Sequence, residues 1–352
     1  MDAEARLVDA LQRVAPGTPI REGLDHIISA NNGALIVIGD EPAVGRVCNG
    51  GFTIDIPYTP QRLFELSKMD GAIILDGAAR TILRANAHLV PDPTLVTSET
   101  GMRHRTAERV SRQTEALVVS ISKRRMVVTL YLGGEKLILE DIEVLLAKAN
   151  QALQTLAGYR LRLDEVTEHL STLEFDDLVT VGDVVQVVQR TEMLLRISRL
   201  LERYVVQLGT EGALVRIQAD ELLGSVNADF TTLLRDYVPD GDKPRKPSAV
   251  RGQLEELTPD QLLDGIAVAE VLGLAGGPDA LDGHIRPRGY RLLARIPMLP
   301  GQVVSRLVDR FGSITGVLEA SDEALDGVDG VGARRAKAIK DGLKRLRERL
   351  NT

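Results

Sequence analysis

Short apolar runs alternate with helix-compatible polar segments over residues 1–140. Four of these runs predict strands, at residues 34–38, 72–75, 117–121 and 126–131. Most of them lack polar alternation, which indicates strands buried on both faces. At Thr18-Pro19 and Thr59-Pro60 a capping hydroxyl precedes a proline, a pattern that starts helices. The pattern predicts an α/β domain, a mixed sheet flanked by helices, over residues 1–140.

Apolar residues at steps of three and four follow, from about residue 141 to residue 234. This spacing predicts long helices that pack on one another, with Gly209 as a stop signal. An all-α spine, serving as a spacer or an oligomerisation element, is therefore expected over residues 141–284. Residues 239–248 are rich in proline and charge, which predicts a linker. Residues 285–352 form a third predicted domain, described below.

Charge is distributed unevenly along the 352 residues. The net charge is −7, yet residues 285–352 carry 14 Lys and Arg against 8 Asp and Glu. That part is therefore +6 and the first 284 residues are −13, as expected for a basic module on an acidic body. No apolar run approaches twenty residues, and the start of the chain is unlike a targeting signal. A single cysteine, Cys48, excludes an intrachain disulfide and a cysteine-built zinc site, so we expect a cytoplasmic protein.

Two triplets carry the candidate chemistry: Asp70-Gly71-Ala72 before an apolar run, and Arg103-His104-Arg105 thirty residues later. A carboxylate can bind a divalent cation or orient a hydroxyl, and arginine matches phosphate oxygens two at a time. Taken alone, Asp-Gly is common in turns, and Asp76-Gly77-Ala78 repeats the triplet where a turn is the simpler interpretation. An Arg-His-Arg cluster alone is more often a solvated helix face.

The segments that contain both triplets, residues 64–74 and 99–109, closely resemble the diadenylate cyclase domain of the DNA integrity scanning protein family. The similarity extends over the whole chain. It implies condensation of two ATP molecules into cyclic di-AMP, with release of two pyrophosphates and with Mg²⁺ or Mn²⁺ as cofactor. Met102 stands where the family usually has threonine, which removes one possible polar contact with the nucleotide.

The resemblance also implies roles for individual residues. Asp70 would bind the metal and assist the attacking hydroxyl, and His104 would donate to phosphate or ribose oxygens. The implied catalytic residues are Asp70, Gly71, Arg103, His104 and Arg105. The implied nucleotide-binding residues are Asp70, Gly71, Ala72, Leu89, Gly101, Met102, Arg103, His104, Arg105, Thr106, Ser122, Lys123 and Arg125.

Residues 285–352 resemble the DNA-binding end of the same family, with two helix–hairpin–helix elements. In the second element, alternating glycines allow a tight turn before a basic helix, where backbone N–H groups favour an anion. The candidate DNA-binding residues are Gly330, Gly332, Arg334, Arg335, Lys337 and Lys340. Contacts with phosphates do not distinguish one base sequence from another, so recognition should depend on the shape of the DNA. The expected ligand is branched DNA such as a Holliday junction. A plain helix turn with a solvated basic face is the alternative.

A nearly two-fold symmetric product and one copy of each motif predict that two cyclase domains face each other. By resemblance the assembly is an octamer, nucleoid-associated in the cytoplasm, in which DNA regulates the cyclase. A non-catalytic protein that senses ATP and binds DNA junctions is the alternative from another class. An ATP hydrolase is a further alternative, although the sequence has no Gly-x-x-x-x-Gly-Lys-Ser/Thr loop.

Overall fold

The structure is a computed structural model that describes residues 3–39, 41–239, 245–274 and 279–350. Contacts divide the chain into two compact units. The first comprises Met1–Gln151 and Leu201–Ile217, and the second comprises Ala152–Leu200 and Gln218–Thr352. The expected domain boundaries near residues 140 and 284 stay predictions, because a division by contacts does not mark where one function ends and another begins.

An α/β domain forms most of the first unit. Its helices are α1 (Ala3–Val14), α2 (Pro19–Ser29), α3 (Glu41–Gly45), α4 (Pro60–Leu66) and α5 (Met102–Thr114). Its strands are β1 (Ala34–Ile38), β2 (Cys48–Asn49), β3 (Phe52–Pro57), β4 (Ala72–Leu75), β5 (Thr81–Leu89), β6 (Leu117–Ser122), β7 (Val127–Leu132) and β8 (Glu135–Ile138). The predicted α/β domain is confirmed, and its four predicted strands match β1, β4, β6 and β7 within one residue at each end.

The strands form one mixed sheet between two hydrophobic layers. Its order is β2-β5-β4-β1-β6-β7-β8, and β3 also pairs with β5. Strand β1 is parallel to β4 and antiparallel to β6, so it lies at the centre of the sheet. One face packs on a cluster that includes Leu24 and Leu63, and the other packs on a cluster that includes Val110 and Tyr131. Because both faces are covered, β1, β4 and most of β6 are buried.

Two helix starts follow the predicted chemistry. The Thr18 hydroxyl accepts the Arg21 N–H at 3.2 Å before α2, and the Thr59 hydroxyl accepts the Arg62 N–H at 3.2 Å before α4. Such caps each contribute about 1 kcal/mol to helix stability. The cap at Thr59 fixes where α4 begins and therefore where the chain returns toward β4, which the candidate site uses.

The predicted helical region begins with α6 (Ile142–Asp176) and α7 (Val181–Leu208). Gly209, with a φ of 53°, ends α7 as predicted. A short 3-10 turn (Gly209–Gly212) follows, and the next helices are α8 (Ala213–Leu223), α9 (Val226–Tyr237), α10 (Pro247–Glu256), α11 (Pro259–Leu263) and α12 (Gly265–Leu272). Of the predicted linker at 239–248, residues 240–244 lie outside the described residues, whereas Pro247 and Ser248 already belong to α10.

Five helices close the chain within the second unit. They are α13 (Tyr290–Ala294), α14 (Gly301–Phe311), α15 (Ile314–Glu319), α16 (Asp322–Asp326) and α17 (Ala333–Leu350). Their apolar faces form one cluster that includes Leu293, Leu307, Leu325 and Ile339. A cluster of this size gives the region a core of its own. In the described parts of the chain, no helix is both long and apolar enough to cross a membrane.

A buried polar network attaches α13 to α6 and α9 in the second unit. The Arg291 guanidinium pairs with Glu174 at 2.9 Å, and the Tyr237 hydroxyl donates to the same carboxylate at 2.6 Å. Asp236 accepts the backbone N–H groups of residues 289, 290 and 291. Buried charges are tolerated only when they are paired and hydrogen-bonded, so this network fixes α13 in one arrangement.

Candidate active site

One edge of the sheet collects most of the candidate residues of the first unit. The pairs that define it are Ala34 with Ile121, Leu35 with Ala72, and Ala72 with Ala87. The starts of β1 and β4 therefore lie beside the ends of β5 and β6. Neighbouring strands are about 4.8 Å apart, so the segments before β4 and after β6 are about 10 Å apart. We call this edge, with residues 33, 70–72, 87–89 and 121–125, the motif edge.

Asp70 and Gly71 connect α4 to β4 at the motif edge, and both are exposed. Gly71 has a φ of +96°, which side chains other than glycine rarely adopt. A Cβ at this position would also lie 2.9 Å from the Asn86 carbonyl carbon. The glycine is thus required by its conformation and by the close approach of β5. It connects Asp70 to Ala72, the first residue of β4.

The second triplet occupies the first turn of α5. Gly101 is the N-cap residue of this helix and supplies no side-chain cap, so the first N–H groups have no such partner. Met102 is 83% exposed, and Thr106 is half-buried one turn later. Helix N-termini carry partial positive charge and favour anions. This end of α5 therefore combines its own N–H groups with two guanidinium groups.

Arg103 is the residue that connects α5 to the motif edge. Its Nη1 donates to the Ile121 carbonyl oxygen at the end of β6, at 3.4 Å. The same nitrogen lies over Gly33, where any Cβ would collide with it and would approach the Ile121 oxygen to 3.0 Å. Gly33 therefore provides the space that lets the Arg103 guanidinium lie against the edge, beside the residues that precede β1.

We predict that Gly33→Ala weakens ATP binding by displacing Arg103. A hydrogen bond to a charged group contributes about 1.5–3 kcal/mol, so affinity should fall about 10- to 100-fold. Calorimetry with a non-reactive ATP analogue measures this loss. In an Arg103→Ala background the same glycine substitution should cost little more, because the group it displaces is already gone. Additive losses in the double variant would show that Gly33 acts through something other than Arg103.

Arg105 and the turn after β6 add further cations. The Arg105 Nη2 donates to the Thr100 carbonyl oxygen at 3.0 Å, while its Nε is buried without a partner in the described residues. Lys123 and Arg125 are exposed in the β6–β7 turn, and the Arg125 N–H donates to the Ser122 hydroxyl at 3.3 Å. An unpaired buried donor is costly, so the Arg105 guanidinium is incompletely satisfied by the described residues of its own domain.

Two further predicted positions have different surroundings. Leu89 lies at the motif edge but is only 7% exposed, packed in the hydrophobic cluster beneath α5. The repeated triplet begins at Asp76, at the opposite end of β4. It lies four residues from Ala72, which at 3.3 Å per residue is about 13 Å. There the Asp76 carboxylate accepts the N–H groups of Arg80 and Thr81 at 2.7 and 2.6 Å. Asp76 therefore builds a turn, as the sequence indicated.

His104 belongs to a hydrogen-bonded group that sequence reasoning missed. Its Nδ1 lies 3.1 Å from the Tyr131 hydroxyl, which donates to a Glu99 carboxylate oxygen at 2.9 Å. The Lys136 ammonium lies 2.5 Å from the same oxygen. Tyr131 comes from β7 and is fully buried. The sequence signal for this group was a tyrosine in an apolar strand. A buried tyrosine hydroxyl normally has a hydrogen-bond partner, so a polar side chain is expected nearby.

Burial and neighbouring charges shift the pKa values of this group. Burial lowers the pKa of His104, with Lys136, Arg103 and Arg125 acting in the same direction and Glu99 opposing them. Burial works to raise the pKa of Glu99, but hydrogen bonds from Lys136 and Tyr131 outweigh it and lower that pKa. Burial raises the pKa of Tyr131, and Glu99 adds to the effect. The group at neutral pH is therefore a neutral imidazole, a neutral phenol and a carboxylate.

The connection between β5 and α5, residues 90–101, has no regular secondary structure but is fastened to α5. Five hydrogen bonds attach it: the Thr97 hydroxyl donates to Glu108, the Asp92 N–H donates to Gln113, and Arg105, Arg109 and Arg112 donate to the carbonyl oxygens of Thr100, Leu95 and Val96. Glu108 is itself buried and paired with Arg112. The connection therefore holds Glu99 and Thr100 in place beside the arginine triplet.

Asp70 is the candidate ligand for a divalent metal. The described residues contain no group of three or more His, Cys, Asp or Glu side chains that could bind an ion without other ligands. Mg²⁺ commonly binds to one or two carboxylates together with substrate phosphates. An exposed carboxylate at an edge lined with cations fits that mode, in which a nucleotide would supply the remaining ligands.

The candidate DNA-binding residues lie in the turn between α16 and α17 and on the first turns of α17. Gly330 has a φ of +84°, and its carbonyl oxygen accepts from Arg335 at 2.6 Å. Arg334 and Lys337 are exposed on α17, whereas Lys340 pairs with Asp322 at 3.1 Å. Gly332 is exposed and has open space around its Cα. The turn is thus tight, and Arg334 and Lys337 project from the first turns of the basic helix.

Two family models match the chain. Residues 21–136 match the model described as DisA bacterial checkpoint controller nucleotide-binding. This range contains the whole motif edge. Residues 139–281 match the model described as DisA bacterial checkpoint controller linker region. The two matches meet close to the expected end of the α/β domain. The helical region that follows it is therefore the linker region of that family.

Curated relatives match the chain over nearly its full length. The DNA integrity scanning protein DisA of Symbiobacterium thermophilum is 54% identical over 99% of this chain and 97% of its own. The protein of the same name from Frankia casuarinae is 49% identical over 96% and 94%. That from Carboxydothermus hydrogenoformans is 48% identical over 99% of both chains. The chain therefore belongs to the DisA family of DNA integrity scanning proteins, and its enzyme class is diadenylate cyclase.

Proposed function

We propose that the N-terminal domain joins two ATP molecules into cyclic di-AMP. In each half-reaction the 3′ oxygen of one ATP attacks the α-phosphorus of the other. A new ester bond forms, pyrophosphate leaves, and the proton of the hydroxyl is lost. The proposal rests on the strand register. It brings Asp70, the 122–125 turn and the Ile121 carbonyl oxygen, to which Arg103 donates, to one edge of the sheet.

The chemistry of these groups suits phosphoryl transfer, in which positioning and charge neutralisation provide most of the catalysis. Asp70 orients the attacking hydroxyl and removes its proton. Arg103 and Arg105 bind phosphate oxygens, and the exposed Lys123 and Arg125 reach the triphosphate. The remaining predicted nucleotide contacts, at residues 71–72, 101–106 and 122 and at Leu89, are assigned to the same binding site, although Leu89 is only 7% exposed.

Mg²⁺ or Mn²⁺ is the proposed cofactor, with Asp70 as its protein ligand and the triphosphate as its other partner. A bound divalent ion neutralises charge on the phosphates and lowers the pKa of a hydroxyl that it contacts. Asp70 would hold such an ion and would also accept the proton of the attacking hydroxyl.

Two cyclase domains facing each other would complete the site, because each domain has one copy of every motif. Met69 and Met102 precede Asp70 and Arg103 in the chain, and they are 46% and 83% exposed. Exposed apolar side chains beside both motifs favour a contact with a second copy. An octamer built from such pairs is the assembly that the family resemblance implies.

The C-terminal helices are proposed to bind branched DNA through a helix–hairpin–helix element. The turn at Gly330 exposes the start of α17, and Arg334 and Lys337 are available for phosphate contacts. Such contacts do not read base sequence, so a Holliday junction would be recognised by its shape. Binding there would regulate the cyclase and place the protein at the nucleoid, in the cytoplasm.

A product assay tests the enzymatic proposal. Incubation of the full chain with ATP and Mg²⁺ or Mn²⁺ should yield cyclic di-AMP and pyrophosphate in a ratio of one to two, resolved by liquid chromatography with mass detection. An ATP hydrolase would give ADP and phosphate, and a protein that only senses ATP would return it unchanged. Addition of a four-way junction should alter the rate, whereas a linear duplex of equal length should alter it less.

A further inference from the structure

A chain of three side chains determines which nitrogen of His104 carries a proton. The imidazole Nδ1 lies 3.1 Å from the Tyr131 oxygen, and that oxygen lies 2.9 Å from a Glu99 carboxylate oxygen. The Lys136 ammonium lies 2.5 Å from the same carboxylate oxygen. Each distance is that of a hydrogen bond, so each link needs one donor and one acceptor.

The polarity of the chain follows from counting its protons. A tyrosine hydroxyl has one proton to donate, and an ionised carboxylate can only accept. The lowered pKa of Glu99 and the raised pKa of Tyr131 keep the carboxylate ionised and the phenol protonated. Tyr131 therefore donates to Glu99, and its oxygen presents a lone pair to His104. Nδ1 must then carry a proton, because two facing lone pairs would repel each other.

The other ring nitrogen is left free to meet a ligand. With Nδ1 protonated and the ring neutral, Nε2 is a hydrogen-bond acceptor. Within the described part of the chain, His104 makes its side-chain hydrogen bond only through Nδ1. The carbon next to Nε2, Cδ2, lies 3.7 Å from where a Cβ of Gly101 would be, so this side of the ring faces the start of α5.

We propose that Glu99 and Tyr131 are positioning residues that hold His104 in its Nδ1-protonated form, so that Nε2 accepts a hydrogen bond from a ribose hydroxyl of the bound nucleotide. The identity of the ligand rests on the proposed function, whereas the protonation state does not. Phosphate oxygens are acceptors, so a lone pair on Nε2 would repel them. The ring is therefore suited to a sugar hydroxyl. In this arrangement His104 accepts a hydrogen bond, whereas the family resemblance implies that it donates one.

Solid-state NMR of the full chain with ¹⁵N-labelled histidine tests the protonation state directly. The chain has five histidines, and loss of one signal in His104→Gln assigns the ring. At pH 8, in the absence of nucleotide, the His104 spectrum should show a protonated Nδ1 and an unprotonated Nε2. A neutral ring with its proton on Nε2 would overturn the proposal, whether or not the protein makes cyclic di-AMP.

Tyr131→Phe removes the link and keeps the buried ring. The population of Nδ1-protonated His104 should fall, and kcat should fall about 10- to 100-fold with little change in KM, as is typical when an orienting partner is lost. Tyr58→Phe is the matched control, because the Tyr58 hydroxyl also sits in the first unit and donates to the Pro19 oxygen at 3.0 Å. It should change neither the spectrum nor kcat.

Glu99→Ala provides an independent variant, because it removes the acceptor without touching the core. The Tyr131 proton is then free to turn toward Nδ1, so the proton of the imidazole should move to Nε2. A proton on Nε2 in Glu99→Ala and on Nδ1 in the unmodified protein supports the proposal. The same protonation in all three proteins, with unchanged kcat in Tyr131→Phe, would overturn it.

Discussion

Asp70→Asn is expected to reduce the formation of cyclic di-AMP by about 10³-fold, within the range for loss of a group that accepts a proton in the transition state. The substitution preserves the size of the side chain and removes its charge, so it removes both the proposed proton acceptor and the metal ligand. Asp70 is exposed and lies before β4, so the fold should persist. Steady-state kinetics at saturating ATP, together with circular dichroism, measure both properties.

Asp76→Asn is the matched control for this experiment. It makes the same chemical change in the repeated triplet, at the other end of the same strand. Because the Asp76 carboxylate accepts two backbone N–H groups, this variant should unfold at a lower temperature and still make cyclic di-AMP. Equal losses of activity in both variants would mean that Asp70 has no special role in the reaction.

Mixing Asp70→Asn subunits with unmodified subunits extends the test to the assembly. If each site consists of two facing domains and each domain forms one bond, a mixed pair makes only the linear intermediate. At equal amounts and random pairing, cyclic product should fall to about one quarter of its value rather than to one half. A fall to one half would indicate that each domain completes the reaction without a partner.

Arg334→Glu is expected to weaken binding to a four-way junction by about 10- to 100-fold and to reduce the salt dependence of the affinity. Loss of one phosphate contact reduces the slope of log K against log salt by about 1. Arg334 is exposed on α17, so the substitution leaves the hydrophobic cluster of the C-terminal helices intact. Fluorescence anisotropy at several salt concentrations gives both the affinity and the slope.

Arg349→Glu makes the same charge change on the same helix, 15 residues further on. At 1.5 Å per residue, Arg349 lies about 22 Å from Arg334, beyond a Debye length at physiological salt. It is also exposed, so its reversal should change affinity little. Equal losses at both positions would indicate general attraction of DNA to a basic helix, with no role for the glycine turn.

The sequence predicted the strands that are buried on both faces and left the others unrecognised. Uninterrupted apolar runs identified β1, β4, β6 and β7. Strand β5 was missed because Arg84, Asn86 and His88 interrupt its apolar residues, and β3 and β8 were missed because they are largely exposed. The pattern of apolar residues along one sequence indicates how deeply a strand is buried. It does not indicate which other strand it pairs with.

The same reasoning explains what was predictable about the site. The two triplets were visible as unusual combinations of charge and glycine, and residue type alone suggested their chemistry. Their proximity depends on β1 pairing with both β4 and β6, which is a property of the sheet. The support of Arg103 by Gly33 depends on β1 pairing with β6, and that of His104 by Tyr131 depends on the place of β7 in the sheet, so neither could be predicted from spacing along the chain.

The fastening of residues 90–101 to α5 has a consequence for ligand affinity. A loop that is ordered only when a ligand arrives loses conformational entropy at that moment, and this loss weakens binding. Here the hydrogen bonds to α5 order the segment when the protein folds. Its conformational entropy is therefore lost on folding and not on ligand binding. Hydrogen–deuterium exchange at the Asp92 N–H, which donates to Gln113 in α5, should therefore already be slow without nucleotide and should change little when nucleotide is added.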